Sequence, residues 1–414
     1  MLFRSIDKQH DALLNEDRLK VGGLLYLRYW AYQRDERDWP QTVSPNLLDV
    51  YFDARPSDRV RAYVRGRLDY DPTGGVLYPE LLPLAEQAPD TMDVSGYLPR
   101  ETSTCLDQMW LAFDVERTVF VTVGKQPVKW GATRIWNPVD FVNRTRRDPL
   151  NPFDSRLGIQ MLKLQVPGEG IGGNVVGLAI FDQAAAMDDV AGAMRIETAF
   201  STAELGLTAY GRKGDDPRFG LDLSAGVWEL DMAAELGVTV ADKADHNTPV
   251  ELGDKELAYQ ASAGATYMAK YGVDDFFVIA GEYFYNPDGM TDSSQYADAF
   301  LAGSFQPFYL GRHYAGLVLS LPGPGSFDHT TFSLSTLSNL SDRTYISRFD
   351  FSTQVLTWIS LEAFVAAHLG DKGGEFRFWM EEIRLPGTAD YEPPLVPALP
   401  YQMIDFGIGL RVDI

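Results

Sequence analysis

Apolar and polar residues alternate one for one through long stretches of the chain. From Val60 to Tyr70 the positions Val60, Ala62, Val64, Gly66, Leu68 and Tyr70 are interleaved with Arg61, Tyr63, Arg65, Arg67 and Asp69. From Glu229 onward, Leu230, Met232, Ala234, Leu236, Val238 and Val240 alternate with Glu229, Asp231, Ala233, Glu235, Gly237 and Thr239. The same period runs through 345–355, 361–369 and 402–414. Successive side chains of a strand face opposite sides, so this pattern predicts strands with one apolar and one polar face. Along the whole chain it marks nineteen segments, from 19–32 to 402–414 and including 375–385. A closed barrel with both termini at one end needs an even number, so one segment is in excess and about 18 strands (16 to 20) are expected. Helical spacing is confined to 293–305, read as a helix inside a loop.

Connection lengths favour a barrel over a soluble sandwich. Short turns at 56–58, 116–117 and 272–274 alternate with long loops at 71–102, 132–155, 242–256 and 286–312. Outer-membrane barrels have short periplasmic turns and longer external loops. The loop at 386–401, with Pro393, Pro394 and Pro397, breaks that order. Most segments match the roughly 9 to 11 residues that cross the hydrocarbon layer at a tilt. Aromatics near strand ends, such as Tyr26, Tyr29, Trp30 and Tyr32 or Tyr283, Phe284 and Tyr285, fit an interfacial girdle, although a soluble β core would hold similar residues. The expected fold is therefore all-β, a closed antiparallel transmembrane β-barrel over 18–414, preceded by an N-terminal periplasmic segment at 1–17. Met1 to Asp7 has neither the basic start nor the apolar stretch of a secretory signal.

Composition narrows the function. The chain has 414 residues, 45% of them hydrophobic, and a net charge of −22 from 58 acidic and 36 basic side chains. This argues against disorder and against general nucleic-acid binding, which needs clustered cationic surface. Cys105 is alone, so no disulfide framework exists. The histidines His10, His246, His313, His329 and His368 lack metal-ligand spacing, and no phosphate-cradling glycine loop occurs. No cofactor, metal or catalysis is expected. His368 and Glu362, on one strand face, form the single triad-like lead.

Two segments resemble known families. Gly409-Leu410-Arg411-Val412-Asp413-Ile414 resembles the C-terminal β-signal read by the outer-membrane barrel-assembly machinery, with Gly409, Val412 and Ile414 carrying the pattern. It departs at Ile414, where an aromatic is usual, and at Gly407, where the pattern favours a polar residue. Within 118–165, Gly124-Lys125-Gln126, Trp130-Gly131 and Asn137-Pro138-Val139-Asp140 are similar to elements of porin-like outer-membrane proteins, including families related to the alginate-export porins. The resemblance implies a channel in a bacterial outer membrane, with membrane lipids, lipopolysaccharide and the assembly machinery as partners, and names no solute.

If the apolar faces meet lipid, the polar faces line the lumen. That face holds Arg61, Arg65, Arg67, Glu229, Asp231, Glu235, Lys270, Arg348, Asp350, Glu362, Arg411 and Asp413. The ladder of Arg61, Arg65 and Arg67 either attracts an anion or an acidic sugar, or pairs with carboxylates on neighbouring strands. A basic loop follows the strand at 118–126, with Lys129, Arg134, Arg144, Arg146 and Arg147 within 19 residues and stiff turns at Asn137-Pro138 and 148–152. It either folds inward to constrict the lumen or pairs with acidic loops and lipid phosphates. The readings are a channel for small hydrophilic solutes, an exopolysaccharide export porin, and a non-conducting barrel for adhesion or scaffolding. A soluble carbohydrate-binding β protein is the rival if the apolar faces are a core.

Overall fold

The computed structural model describes residues 18–35, 39–74, 101–151, 156–168, 172–242, 250–252, 255–271, 275–384 and 395–414. Eighteen strands form the wall of a closed antiparallel barrel. They are β1 (Leu19–Arg34), β2 (Asn46–Ser57), β3 (Val60–Tyr70), β4 (Thr102–Val115), β5 (Val119–Gln126) and β6 (Ile159–Gly168). Next come β7 (Gly173–Ile180), β8 (Ala191–Phe200), β9 (Ala203–Gly211), β10 (Arg218–Val227), β11 (Leu230–Asp242) and β12 (Lys255–Tyr271). The last are β13 (Asp275–Tyr285), β14 (His313–Pro322), β15 (Thr330–Asn339), β16 (Thr344–Leu356), β17 (Ile359–Gly370) and β18 (Gln402–Asp413). Each strand pairs with the next, and β18 pairs with β1 from Leu24↔Asp413 to Arg34↔Gln402, which closes the sheet.

The wall is apolar outside and polar inside. In the register of β10, β11 and β12, Leu221, Leu236 and Ala261 sit side by side on one face, and Asp222, Glu235 and Ser262 on the other. Leu236 is 37% exposed and Glu235 3%. Water-soluble β proteins show the reverse, since burying an unpaired carboxylate while exposing leucine is unfavourable on both counts. Leu207, Phe219, Leu223, Phe349, Val365, Phe406 and Ile408 are exposed in the same way. The soluble rival required these faces to form a core, and they do not.

The excess segment is 375–385. Glu375–Arg377 makes one 3-10 turn, and Ile383–Arg384 pairs with Leu395–Val396 away from the wall. The alternating apolar residues serve loop packing instead: Phe378 and Met380 pack on Tyr296, Phe300, Leu310, Val396 and Leu399, and Phe376 on the inner wall at Tyr314, Leu337 and Ile346. With that strand removed, β17 and β18 are joined by one long connection at 371–401. The irregularity at 386–401 disappears, and long connections all fall at the end opposite the termini. The expected helix is α1 (Tyr296–Leu301) after a 3-10 turn at Ser293–Gln295.

At the other end connections are tight. Glu116 and Arg117 join β4 to β5 with φ of 52° and 58°, the pair of positive values a type I′ hairpin turn needs. Glu229 is a correction: it lies in the turn between β10 and β11, where its carboxylate accepts the Tyr267 hydroxyl, so it is outside the lumen. The segment 1–17 and most of the loop at 71–102 fall outside the described residues.

The C-terminal strand is also a seam. Gly23 and Ile414 exchange backbone hydrogen bonds at 2.9 Å. Glycine at 407 and 409 leaves room on the inner face: a Cβ on Gly409 would lie 2.8 Å from the Tyr26 ring, and one on Gly407 2.4 Å from Trp30. Val412 and Ile414 alternate with these and face outward.

Candidate functional site

The connection from β5 to β6, residues 127–158, folds into the lumen. Its apolar residues are the reason, because they meet apolar patches on the inner wall. Trp136 is fully buried, stacked 5.7 Å from Phe284 and tilted against Tyr314 at 5.7 Å, both inward residues of β13 and β14. Trp130 and Val142 pack on Ile159, Met161, Val176, Leu178 and Ile180 of β6 and β7. Burial of these side chains favours the inward conformation by the usual hydrophobic term.

Two wall carboxylates then clamp the loop backbone. Glu282 of β13 accepts three successive amides, from Arg134 at 2.9 Å, Ile135 at 3.0 Å and Trp136 at 2.8 Å. Glu235 of β11 accepts the Thr133 amide at 2.7 Å, the Thr133 hydroxyl at 2.6 Å and the Asn137 side-chain amide at 3.0 Å. Consecutive N–H groups form a concave nest that suits one anion. Close approach requires glycine twice: Gly131 has φ of 108° against Glu235, and a Cβ on Gly237 would meet the Pro138 carbonyl at 2.5 Å. Glu235 was expected to face solute; it is a loop anchor instead, and Glu282 was not singled out at all. A lone glutamate inside the apolar run of Asp275–Tyr285 was the available signal.

Beyond the clamp the loop carries its arginines. Arg144, Arg146 and Arg147 line a cavity of about 490 Å3 with Lys125, Arg156, Arg212, Tyr210, Asp148 and Asp182. Arg156 is held by Asp140 at 2.8 Å. Arg146 stands over the Tyr309 ring at 5.3 Å and reaches Gln260 at 3.5 Å. Among the described residues no carboxylate lies within ion-pair distance of Arg144, Arg146, Arg147 or Arg218. Burial holds the Arg146 guanidinium below its ordinary pKa, with Tyr309 and the more distant Asp140 opposing the shift and Arg218 and Arg156 adding to it. Burial likewise raises the Tyr309 phenol to about 12. Lys129 and Arg134 are exposed and stand outside the cavity.

Two further loops close on this one. The Trp136 indole donates to the Phe308 carbonyl at 3.1 Å, and the Tyr309 hydroxyl to the Arg147 carbonyl at 3.3 Å. Phe308, Tyr309 and Phe376 join Ile135 and Trp136 in one apolar cluster. The connections 127–158, 286–312 and 371–401 therefore meet within the barrel.

The rest of the charged wall is largely self-paired. Arg61 binds Asp53 at 2.8 Å, Arg67 binds Asp49 at 2.9 Å, and Arg65 binds Asp107, which also lies 3.7 Å from Arg67. The like charges of the ladder are thus compensated across strands. Arg348 pairs with Asp350 at 2.7 Å and Arg411 with Asp413 at 3.0 Å, two residues apart on one inner face. Asp231 and Lys270 face inward and are exposed. Unforeseen is Arg195, buried in the wall with two bonds to Asp222 at 2.7 and 2.8 Å. The His368 lead dissolves: its ring nitrogens meet the Phe376 carbonyl at 2.7 Å and Asp405 at 2.8 Å, and Glu362 accepts the Tyr26 hydroxyl.

No family model and no curated protein sequence matches the chain. Solved structures are similar to it. A BenF-like porin from Pseudomonas fluorescens Pf-5 shares 13% identity at a TM-score of 0.56, over 96% of this chain and 99% of that one. Pseudomonas aeruginosa OpdK with vanillate shares 12% at 0.53, over 95% and 98%. Pseudomonas aeruginosa OccK2 (OpdF) in complex with glucuronate shares 13% at 0.53, over 95% and 98%. What is shared at such identity is the fold, an 18-strand porin barrel spanning nearly the whole chain. None of these is an alginate-export porin, and the resemblance of 118–165 to that family is without support.

Proposed function

We propose that this protein is a bacterial outer-membrane channel that passes small hydrophilic anions, carboxylates foremost, and that it is not an enzyme. The observation that carries the reading is Arg146, held beside Arg218 and Arg156 with no carboxylate at ion-pair distance among the described residues. Arginines on the barrel wall are mostly neutralised by aspartates, whereas Arg144, Arg146 and Arg147 of the loop have no carboxylate at ion-pair distance among the described residues. A guanidinium offers a planar fork of donors that fits a carboxylate with two bonds. Of the similar structures, one holds vanillate and one glucuronate, and both molecules carry a carboxylate. The apolar outer band supports membrane insertion with lipids and lipopolysaccharide around it, and insertion by the assembly machinery fits the β18 seam.

The exopolysaccharide reading is less favoured, because a long polymer needs a wide conduit and the loop at 127–158 occupies the lumen. A non-conducting scaffold has no use for unpaired arginines in the lumen. The test is bilayer conductance of the purified protein under a salt gradient. The expected result is discrete steps with a reversal potential on the anion side, moved toward cations by Arg146→Ala. Cation selectivity, or a reversal potential unmoved by that substitution, overturns the reading.

A further inference from the structure

Above the lumen the connections 286–312, 340–343 and 371–401 meet at a buried acidic node. Glu375 is 5% exposed, and Asn339, Tyr296, Tyr314 and Thr344 around it are fully buried. Tyr314 of β14 donates to Glu375 Oε2 at 2.6 Å, Asn339 of β15 donates to the same atom at 2.8 Å, and the Phe308 amide donates to Oε1. Asp342 faces it from the turn between β15 and β16. Its Oδ2 accepts the Glu375 amide at 2.7 Å, the Asn339 side chain at 3.0 Å and the Tyr296 hydroxyl of α1 at 3.0 Å. Its Oδ1 is taken by Thr344, through the amide at 2.9 Å and the hydroxyl at 2.7 Å. One amide group, that of Asn339, therefore bonds both carboxylates.

Among the described residues the ionisable groups turned toward Glu375 are Asp342, Tyr314 and Tyr296, and none of these is a cation. One residue further, the Phe376 carbonyl is tied to His368, whose other nitrogen meets Asp405. Two carboxylates packed together without a counter-charge cannot both ionise cheaply, because burial and mutual repulsion act in the same direction. The proton that relieves this sits where three loops are joined, beside the apolar cluster of Tyr296, Phe300, Leu310, Phe378 and Met380.

We propose that Glu375 and Asp342 form a proton-operated latch that clamps the loops at 286–312 and 371–401 together in acid and loosens them as the medium becomes neutral and alkaline. The device adjoins the arginine loop through Phe308 and Tyr309, but it uses none of the arginines and is independent of which solute passes. Burial, with Asp342 adding to it, raises Glu375 from 4.5 to about 8. A folded-state value above the unlatched one contributes stability that is complete below the unlatched value and is lost as pH rises through the folded one. Opening of the latch should therefore increase by about tenfold per pH unit between roughly 4.5 and 8, then level off.

The test is hydrogen exchange of the detergent-folded protein from pH 5 to pH 9, corrected for intrinsic exchange at each pH, read on peptides covering 296–310 and 371–384. Protection in both segments should fall together over the lower part of the range and flatten above about 8. Glu375→Gln should make it independent of pH. Asp342→Asn, which removes the neighbouring charge along with one of its two accepting oxygens, should bring the flattening to a lower pH. If Glu375→Gln fails to assemble, the Asp342→Asn shift carries the test. Constant protection in the unsubstituted protein, a slope that survives in Glu375→Gln, or an unmoved profile in Asp342→Asn overturns the latch. Exchange is read without any current, so the latch and the channel stand or fall separately.

Discussion

Glu282 holds Trp136 twice over. Its carboxylate accepts the Trp136 amide at 2.8 Å, and two residues along β13 the Phe284 ring stacks on the indole at 5.7 Å. Since side chains two apart on a strand share a face, one short stretch of wall supplies both the charge and the flat surface that fix the loop. The tip of a 32-residue connection between 127 and 158 is thereby positioned from a strand on another part of the barrel.

Loss of that anchor should free the loop. Glu282→Ala leaves three amides without their acceptor, at a cost of about 1–3 kcal/mol for each that water cannot reach. The expected outcome is a lower unfolding midpoint in detergent and larger, noisier conductance steps. Unchanged stability and conductance would remove the anchor from the account.

Paired arginines should behave differently from unpaired ones. Asp107 serves Arg65 and lies near Arg67, and it is completely buried. Asp107→Ala leaves the partly exposed Arg65 without its carboxylate while Arg67 keeps Asp49, and about 1–3 kcal/mol of stability should be lost. Equilibrium unfolding in detergent measures this. Neutralising Arg61, Arg65 and Arg67 together with their partners Asp53, Asp107 and Asp49 should shift selectivity less than Arg146→Ala alone, because the charge of each pair is already balanced; the reversal potentials of the two variants decide the comparison.

Leu236 and Phe351 point outward at mid-wall. Arginine at either should cost about 2–4 kcal/mol in a bilayer. The inward Ser335, opposite Arg348 on β16, is the matched control and should accept a polar substitution at little cost. Folding titrations into lipid vesicles separate the two faces, and equal costs would reverse the assigned orientation.

Gly409→Val should weaken the closing seam, because its Cβ would lie 2.8 Å from the Tyr26 ring. Overpacking of this kind costs about 1–3 kcal/mol. Tyr26→Ala in the same chain should restore part of the loss, and a double-mutant cycle shows whether the two residues interact.

Much of this architecture was legible in the chain itself. A strand's side chains alternate by geometry alone, so the lines of Val60 to Tyr70 and Glu229 to Val240 carried both the strand and its two faces. The segment 375–385 misleads for the same reason: Phe376, Phe378 and Met380 alternate, but Phe378 and Met380 bury in a loop core and Phe376 against the inner face of the wall. Glu229 misled by one position, since alternation continues in print across the turn where the backbone reverses. The basic residues of 129–147 were visible as a cluster.

The sequence by itself determined the period, hence an all-β wall with an apolar and a polar side, and a strand count of about 18 within two either way. It also marked the arginine-rich connection. The tertiary structure alone decided which charges are spent on one another. Arg65 and Asp107 are 42 residues apart, Glu282 and Trp136 are 146 apart, and Glu375 and Tyr314 are 61 apart. Such partners meet because the barrel closes and its loops turn inward, and local periodicity holds no information about distances across the lumen. Whether an arginine is neutral in effect or free to meet a solute depends on that meeting.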